Sequence, residues 1–438
     1  MHNIAIALHK KGFQLSGSDD EIFEPSKSRL KKYNLLPDVE GWNPDIITTD
    51  IDAIILGMHA KIDNPELLRA KELGIKVYSY PEYVFEQSKN KKRIVIGGSH
   101  GKTSITSMIL HVLKSQQKEF DYLVGAQLDG FETMVQFSNA PIMIIEGDEY
   151  LSSPIDRRPK FLWYKPHIAV LSGIAWDHIN VFPTFENYVE QFQLFTETID
   201  QDGELIYFEG DKHINQIVNS TSLRIKKTPY STHNHKIESD ITYLKNEDKW
   251  IAVSVFGEHN LQNLNAALLV CKSIGITESD FYQAIQHFSG AAKRLELIAK
   301  NDHSLVFKDF AHSPSKLKAT TAAVKKQYSQ KRLLACMELH TFSSLNKEFL
   351  TEYTGAMDFA DEAIVYFNPK TIEHKGLDSI SKEDIEKAFL PSKITVFDDS
   401  NKIKTFFERT TLNNAVLLLM TSGNFDGIDL NELGNAKV

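Results

Sequence analysis

The sequence predicts an α/β protein of three domains built on parallel sheets, and three observations predict it. Short β-rich runs alternate with amphipathic stretches from Gly12 onward, which is the pattern of βαβ units rather than of a sandwich. A strand, a tight glycine-containing loop and an apolar-periodic helix follow one another between Arg93 and Leu113. The chain has 438 residues, whereas a single hydrophobic core stops growing at roughly 250 to 300 residues.

The elements can be justified in order. The apolar spacing predicts a helix from about Met1 to Lys11, then a strand at Phe13–Gly17 that ends in Ser18-Asp19-Asp20. A second strand is expected at Ala53–Gly57, a helix ending near Gly74, and a strand at Lys76–Tyr80, together a small nucleotide-binding sheet. Such a unit normally opens with a strand and a Gly-rich turn, so this chain begins at or just before the first helix of the pattern. The expectation is that the missing strand lies upstream of a start assigned at an internal methionine.

The polar run Ser88–Lys92 reads as a connector, which sets the first domain at 1–90. The second, 91–292, opens with a strand at Arg93–Ile96 and holds further buried strands at Pro141–Ile145 and Ile168–Leu171, then a helix at about Asn260–Ile274. A hinge is expected at Gly290–Arg294, followed by a third domain, 293–438. Its strands are expected at Ser304–Lys308, Arg332–Met337, Ala363–Phe367, Ile394–Phe397 and Ala415–Thr421.

Composition narrows the function classes. A net charge of -9 and a pI near 6.0 argue against a nucleic-acid or anionic-lipid surface, though they leave room for a local phosphate pocket. The apolar runs are far shorter than the ~18 residues of a membrane span. Cys271 and Cys336 each sit in an apolar run without metal-ligand spacing, as small buried hydrophobes of a reduced, cytoplasmic chain would.

The strongest chemical signal is Gly98-Ser99-His100-Gly101-Lys102-Thr103-Ser104 between strand and helix. Glycines let the backbone wrap a phosphate, the helix N-terminus supplies N–H groups, Lys102 meets the β and γ phosphates, and the Thr103 hydroxyl suits magnesium. The spacing is one residue short of the common G-x-x-x-x-G-K-[ST] when counted from Gly97, so the generic motif is only partly met. Glu146, Asp148 and Glu149 end an apolar strand, where a carboxylate can hold magnesium, although an acidic loop alone is usually a solvated turn. His178 follows Asp177 after another such strand, and a lone histidine is more often structural. Asn260 and Asn263 lie near a helix start, where Asn260 can serve simply as a cap. Arg294 sits at the hinge, and Asp309 ends a strand before Phe-Ala-His312-Ser-Pro314, where the proline can begin a helix.

Taken in order, Gly-Ser-His-Gly-Lys-Thr-Ser, Glu-Gly-Asp-Glu-Tyr, Asp-His, Gly-Glu-His-Asn-Leu-Gln-Asn, Lys-Arg-Leu-Glu and Asp-Phe-Ala-His resemble the Mur ligases along essentially the whole chain. The resemblance implies a Rossmann-like N-terminal domain that binds a UDP-sugar, a central P-loop ATPase domain, and a C-terminal Rossmann-like domain that closes on ATP and binds the amine substrate. It implies ATP and Mg2+ as cofactors, with Thr103, Glu146 and His178 at magnesium and Lys102, Glu146 and His178 as the catalytic set. Gly98 to Ser104, Asn260, Asn263, Arg294 and Asp309 are implied at ATP.

Within the family, Gly17-Ser-Asp-Asp20, Asn64-Pro65, Glu149-Tyr150, Asp156-Arg-Arg-Pro-Lys-Phe161 and Arg294-Leu-Glu-Leu297 resemble the branch that recycles cell-wall peptide. That branch joins UDP-N-acetylmuramate to the L-alanyl-gamma-D-glutamyl-meso-diaminopimelate tripeptide. The alternative is the branch that adds L-alanine to the same sugar nucleotide. A nucleotide-binding regulator without ligase activity is the reading from another class. Two departures stand out: the Gly-rich loop before the first helix is missing, and Lys308-Asp309 and His312-Ser313 replace Asp-Asp and His-His.

Overall fold

The computed structural model describes residues 1–128, 130–176, 181–220, 223–290 and 294–438. They form two compact units, Met1–Ile174 with Phe185–Tyr230, and Ala175–Thr184 with Ser231–Val438.

The first unit is organised by a seven-stranded sheet in the order Lys226–Tyr230, Glu204–Phe208, Ile168–Leu171, Lys92–Gly97, Ile142–Glu146, Asp121–Leu123, Val135–Gln136. Every neighbouring pair is parallel except the last. Ile94, Val95 and Ile96 in the middle strand, with Ile144 and Val170 beside them, are buried without alternation, as strands covered on both faces must be. The middle strand is therefore flanked by the two strands that precede Gly147 and Ser172, and all three carboxyl ends open on the same edge.

Ahead of this sheet, Ala53–Leu56 and Lys76–Ser79 pair in parallel around the helix Pro65–Glu72. That helix starts where it does because the Asn64 side chain accepts from the N–H groups of Glu66 and Leu67 and Pro65 takes the first turn. The helix His2–Lys10 forms as expected, but the strand expected at Phe13–Gly17 does not. It has no ladder neighbour among the described residues, and Phe13 is exposed, so the alternating pattern alone did not make a strand. The connector is stapled by Arg93, whose buried guanidinium donates to the carbonyls of Ser88, Lys89, Lys91, Tyr164 and Lys165.

The second unit holds an antiparallel sheet, His235–Glu238, Ile241–Asn246 and Lys249–Val253, which the sequence reading missed. Ser239 and Asp240, both at positive φ, close its first hairpin with the twist that neighbouring strands favour. The six-stranded sheet runs Glu296–Lys300, Leu305–Asp309, Ala415–Met420, Arg332–Leu339, Glu362–Phe367, Ile394–Phe397, parallel apart from the first strand. Leu333, Ala335 and Met337 enter one core and Leu334 and Cys336 the other, so both faces are covered. The five strands expected after the hinge are all present, within one or two residues of their expected ends. Of the hinge itself, residues 291–293 lie outside the described residues.

Both cysteines are buried and unpaired, and burial pushes both thiols up. Among the described residues no helix is long and apolar enough to cross a membrane.

Candidate functional site

In the first unit, four residues separate the middle strand, ending at Gly97, from the helix Lys102–Ser115. Gly98 has φ +135° and Gly101 φ +81°, conformations that side-chain-bearing residues rarely adopt. A Cβ on Gly98 would stand 2.2 Å from the Ser172 hydroxyl, so space as well as backbone angle requires glycine there. The N–H of Ser99 donates to the Gly173 carbonyl at 2.9 Å, and the Ser172 hydroxyl reaches the carbonyls of Gly97 and His100. The loop is thus held from the side by the end of the neighbouring strand, while the first N–H groups of a 14-residue helix face its mouth.

The acidic loop divides its labour. Glu146 Oε1 accepts from the Thr103 hydroxyl at 2.8 Å and Oε2 from the Gly125 N–H at 2.8 Å. Burial, with the Asp148 charge adding to it, raises the Glu146 pKa above the ordinary carboxylate range. Asp148 instead pairs with Lys160 at 3.3 Å, and that ammonium lies 4.2 Å from the centre of the Tyr150 ring. Glu149 pairs with Lys102 at 2.7 Å, with both side chains nearly out of water. Burial pulls the Lys102 ammonium down, but the charges of Glu149 and Asp148 outweigh it and the net shift is upward. Lys102 also donates to the Gly98 carbonyl at 2.6 Å.

The residues present fit a magnesium nucleotide: a glycine cradle, a helix N-terminus, a buried lysine, and a hydroxyl and carboxylate in contact where a divalent cation finds hard oxygen donors. Among the described residues no group of three or more His, Cys, Asp and Glu is arranged to hold a metal. His178, expected as a third ligand, lies outside the described residues.

In the second unit, Asn260 does not cap the helix Glu258–Ser273, as it had been expected able to do. Gly257 takes that position, and Asn260 lies inside, donating to the Phe256 carbonyl at 3.0 Å. Asn263 is buried on the same helix. Asp309 is buried and accepts from the N–H groups of Leu295 and Ala311, both at 2.7 Å. It thereby pins the turn at Leu295, a residue at φ +45°, and sets Arg294 against Phe310 with 4.6 Å between guanidinium carbon and ring centre. The His312 Nδ1–H donates to the Phe310 carbonyl at 2.7 Å, and Pro314 does open a helix, Pro314–Gln327.

Sequence reading missed Gly125, Ser172 and Tyr188. Ser172 alone left a signal, a small polar residue and a glycine directly beyond a buried strand. Gly125 and Tyr188 belong to segments whose proximity only the sheet order creates.

Residues 96–271 match the model of the Mur ligase middle domain and residues 293–423 that of the Mur ligase glutamate ligase domain. The UDP-N-acetylmuramate–L-alanine ligase of Caldicellulosiruptor bescii is 30% identical over 378 residues, 83% of this chain and 80% of its own. The chain belongs to the Mur ligase family. It is therefore an ATP-dependent ligase that forms an amide bond, with the family's three-domain α/β architecture. The like-named ligase of Clostridium kluyveri is also 30% identical, again over 83% of this chain and 80% of its own.

Among solved structures, UDP-N-acetylmuramate–alanine ligase from Thermotoga maritima aligns with a TM-score of 0.70 at 18% identity, over 97% of this chain and 94% of its own. A murein peptide ligase from Psychrobacter arcticus aligns with a TM-score of 0.66 at 21% identity, over 99% and 96%. At these identities the structures establish the fold alone. The expectation of a tripeptide-joining ligase is corrected by the curated relatives, which carry the name of the L-alanine-adding enzyme. Four of the five motifs behind that expectation lie in the first unit, and the fifth, Arg294–Leu297, opens the six-stranded sheet of the second.

Proposed function

We propose that this chain is a UDP-N-acetylmuramate–L-alanine ligase that uses MgATP. The observation that carries the reading is the likeness to ligases of that name over more than four fifths of the chain. The geometry around Lys102 supports the MgATP part of the reading.

A carboxylate is a poor acyl donor at neutral pH, and ATP, when bound with magnesium, supplies the phosphoryl group that turns it into an acyl phosphate. Gly98, Ser99, His100, Gly101 and Ser104 wrap the phosphates with backbone N–H groups, and Lys102 brings positive charge to the group in transfer. Thr103 and Glu146 would hold magnesium, with His178 completing the set implied by family resemblance. Asn260, Asn263, Arg294 and Asp309 stay in the proposal as the residues that the same resemblance assigns to ATP. The neutral amine of L-alanine would then attack the carbonyl carbon, the C–N bond forming as the C–O bond to phosphate breaks, with phosphate leaving and the surplus proton on nitrogen passing to solvent. No protein nucleophile is required.

The test is phosphate release from MgATP in the presence of UDP-N-acetylmuramate and either L-alanine or the L-alanyl-gamma-D-glutamyl-meso-diaminopimelate tripeptide. Turnover dependent on L-alanine is expected. Silence with L-alanine alongside turnover with the peptide would overturn the assignment.

A further inference from the structure

The buried Glu149 is not used by the chemistry above, yet it touches the residue on which that chemistry depends. Its Oε2 lies 2.7 Å from Lys102 Nζ and its Oε1 lies 2.9 Å from the Tyr188 hydroxyl. That hydroxyl is also 3.0 Å from Ser99 Oγ. A phenol has one proton, and a carboxylate paired with an ammonium can only accept, so Tyr188 donates to Glu149 and accepts from Ser99. The result is a continuous chain, Ser99 to Tyr188 to Glu149 to Lys102, that leaves the phosphate loop, passes through the helix Phe185–Glu197 and returns to the loop's own lysine. Glu149 is 1% exposed, Tyr188 0% and Ser99 6%, so water does not compete for these bonds.

The arrangement constrains Lys102 in a specific way. An ammonium has three protons, and here one goes to Glu149 and one to the Gly98 carbonyl, leaving one to meet an anion in the loop. A lysine otherwise carries a point charge on a flexible stem, without the built-in direction of a guanidinium. We propose that Glu149 is the positioning residue for Lys102, itself held by Tyr188 and Ser99, so that the ammonium is aimed before a nucleotide arrives. This rests on the assignment of Lys102 to the nucleotide phosphates made above.

The neighbouring carboxylates cannot substitute. Glu146 is committed to Thr103 and Gly125, and Asp148 to Lys160. Glu149→Gln keeps the shape and an acceptor oxygen but removes the charge that orients the ammonium, and Tyr188→Phe removes only the hydroxyl.

The experiment is a pair of double-mutant cycles on the full chain, with an unfolding temperature for every variant. In ligation, E149Q is expected to lower kcat about tenfold and Y188F about threefold, the double variant matching E149Q because Tyr188 acts through Glu149. In calorimetric binding of MgATP, which needs no turnover, Lys102→Met is expected to weaken affinity roughly tenfold in the natural background but clearly less in E149Q. Equal losses from Lys102→Met in both backgrounds, or losses of E149Q and Y188F that add, would overturn the proposal. So would kcat falling only in step with the unfolding temperature, which marks a merely structural role. A protein that binds MgATP but ligates neither amine would sink the ligase assignment instead, and the binding cycle would still decide the role of Glu149.

Discussion

Thr103 Oγ1 lies 2.8 Å from Glu146 Oε1, while the Gly125 N–H lies 2.8 Å from the other oxygen of the same carboxylate. The hydroxyl belongs to the first turn of the loop helix and the carboxylate to the end of the adjacent strand, 43 residues apart in sequence. Parallel pairing of Lys92–Gly97 with Ile142–Glu146 is what sets them side by side.

This contact has a pH signature. Burial raises the Glu146 pKa, so folding is favoured while the group is protonated and loses that advantage as pH rises from the ordinary carboxylate range through the raised folded value. Glu146→Gln is neutral at every pH, and its amide can turn its oxygen to the Gly125 N–H and its NH2 to the Thr103 hydroxyl. In magnesium-free buffer at pH 8, calorimetry should find the variant more heat-stable than the natural protein. The difference should disappear when the pH falls below about 4. Ligation should drop by at least about a hundredfold. Equal melting temperatures at pH 8 would count against the raised value.

Lys102→Ala should reduce ligation by about a thousandfold or more, measured as phosphate release at saturating substrates. It should also destabilise the chain, because Glu149 is left buried without its counter-charge. Turnover near that of the natural protein would refute the phosphate-loop assignment.

Gly98→Ala should abolish MgATP binding. The added Cβ would meet the Ser172 hydroxyl at 2.2 Å in a backbone at φ +135°, so the loop must open to accept it. The paired substitution Gly257→Ala tests the second unit in the same way: φ is +87° and the new Cβ would fall 2.5 Å from that of Ala323. A loss of about 1–3 kcal/mol in urea unfolding is expected for it. Unchanged nucleotide affinity in G98A would show that the loop is not the binding element.

Asp121 is fully buried, pairs with Lys91 at 2.9 Å, and accepts from both the N–H and the hydroxyl of Ser138. Asp121→Ala leaves the Lys91 ammonium buried among carbonyls, and should lower unfolding free energy by about 3–5 kcal/mol. Chemical denaturation gives the number, and a loss under 1 kcal/mol, on the order of a surface pair, would show that the site is better solvated than its burial implies.

Much of the fold and part of the site could be read directly. Uninterrupted apolar runs such as Ile142–Ile145 and Ala415–Met420 specify buried parallel strands because no other element covers both faces of so short a segment. The glycines around Ser99 and His100, between a strand and an amphipathic helix, specify a tight turn from strand to helix because Gly98 and Gly101 both take positive φ there. Alternation at Phe13–Gly17 misled, since a strand also needs a neighbour to pair with.

The sequence by itself determined the α/β class, the strands that carry it, and Lys102, Thr103 and Glu146 as candidates, because those features depend on residues near one another in the chain. Only tertiary structure decided how Glu146, Asp148 and Glu149 divide between Thr103, Lys160 and Lys102, and that Tyr188 and Ser172 belong beside the loop. In the sequence the three carboxylates form one acidic cluster. Sheet order brings each a different partner, and the free energy of a buried charge is set by the partner it meets.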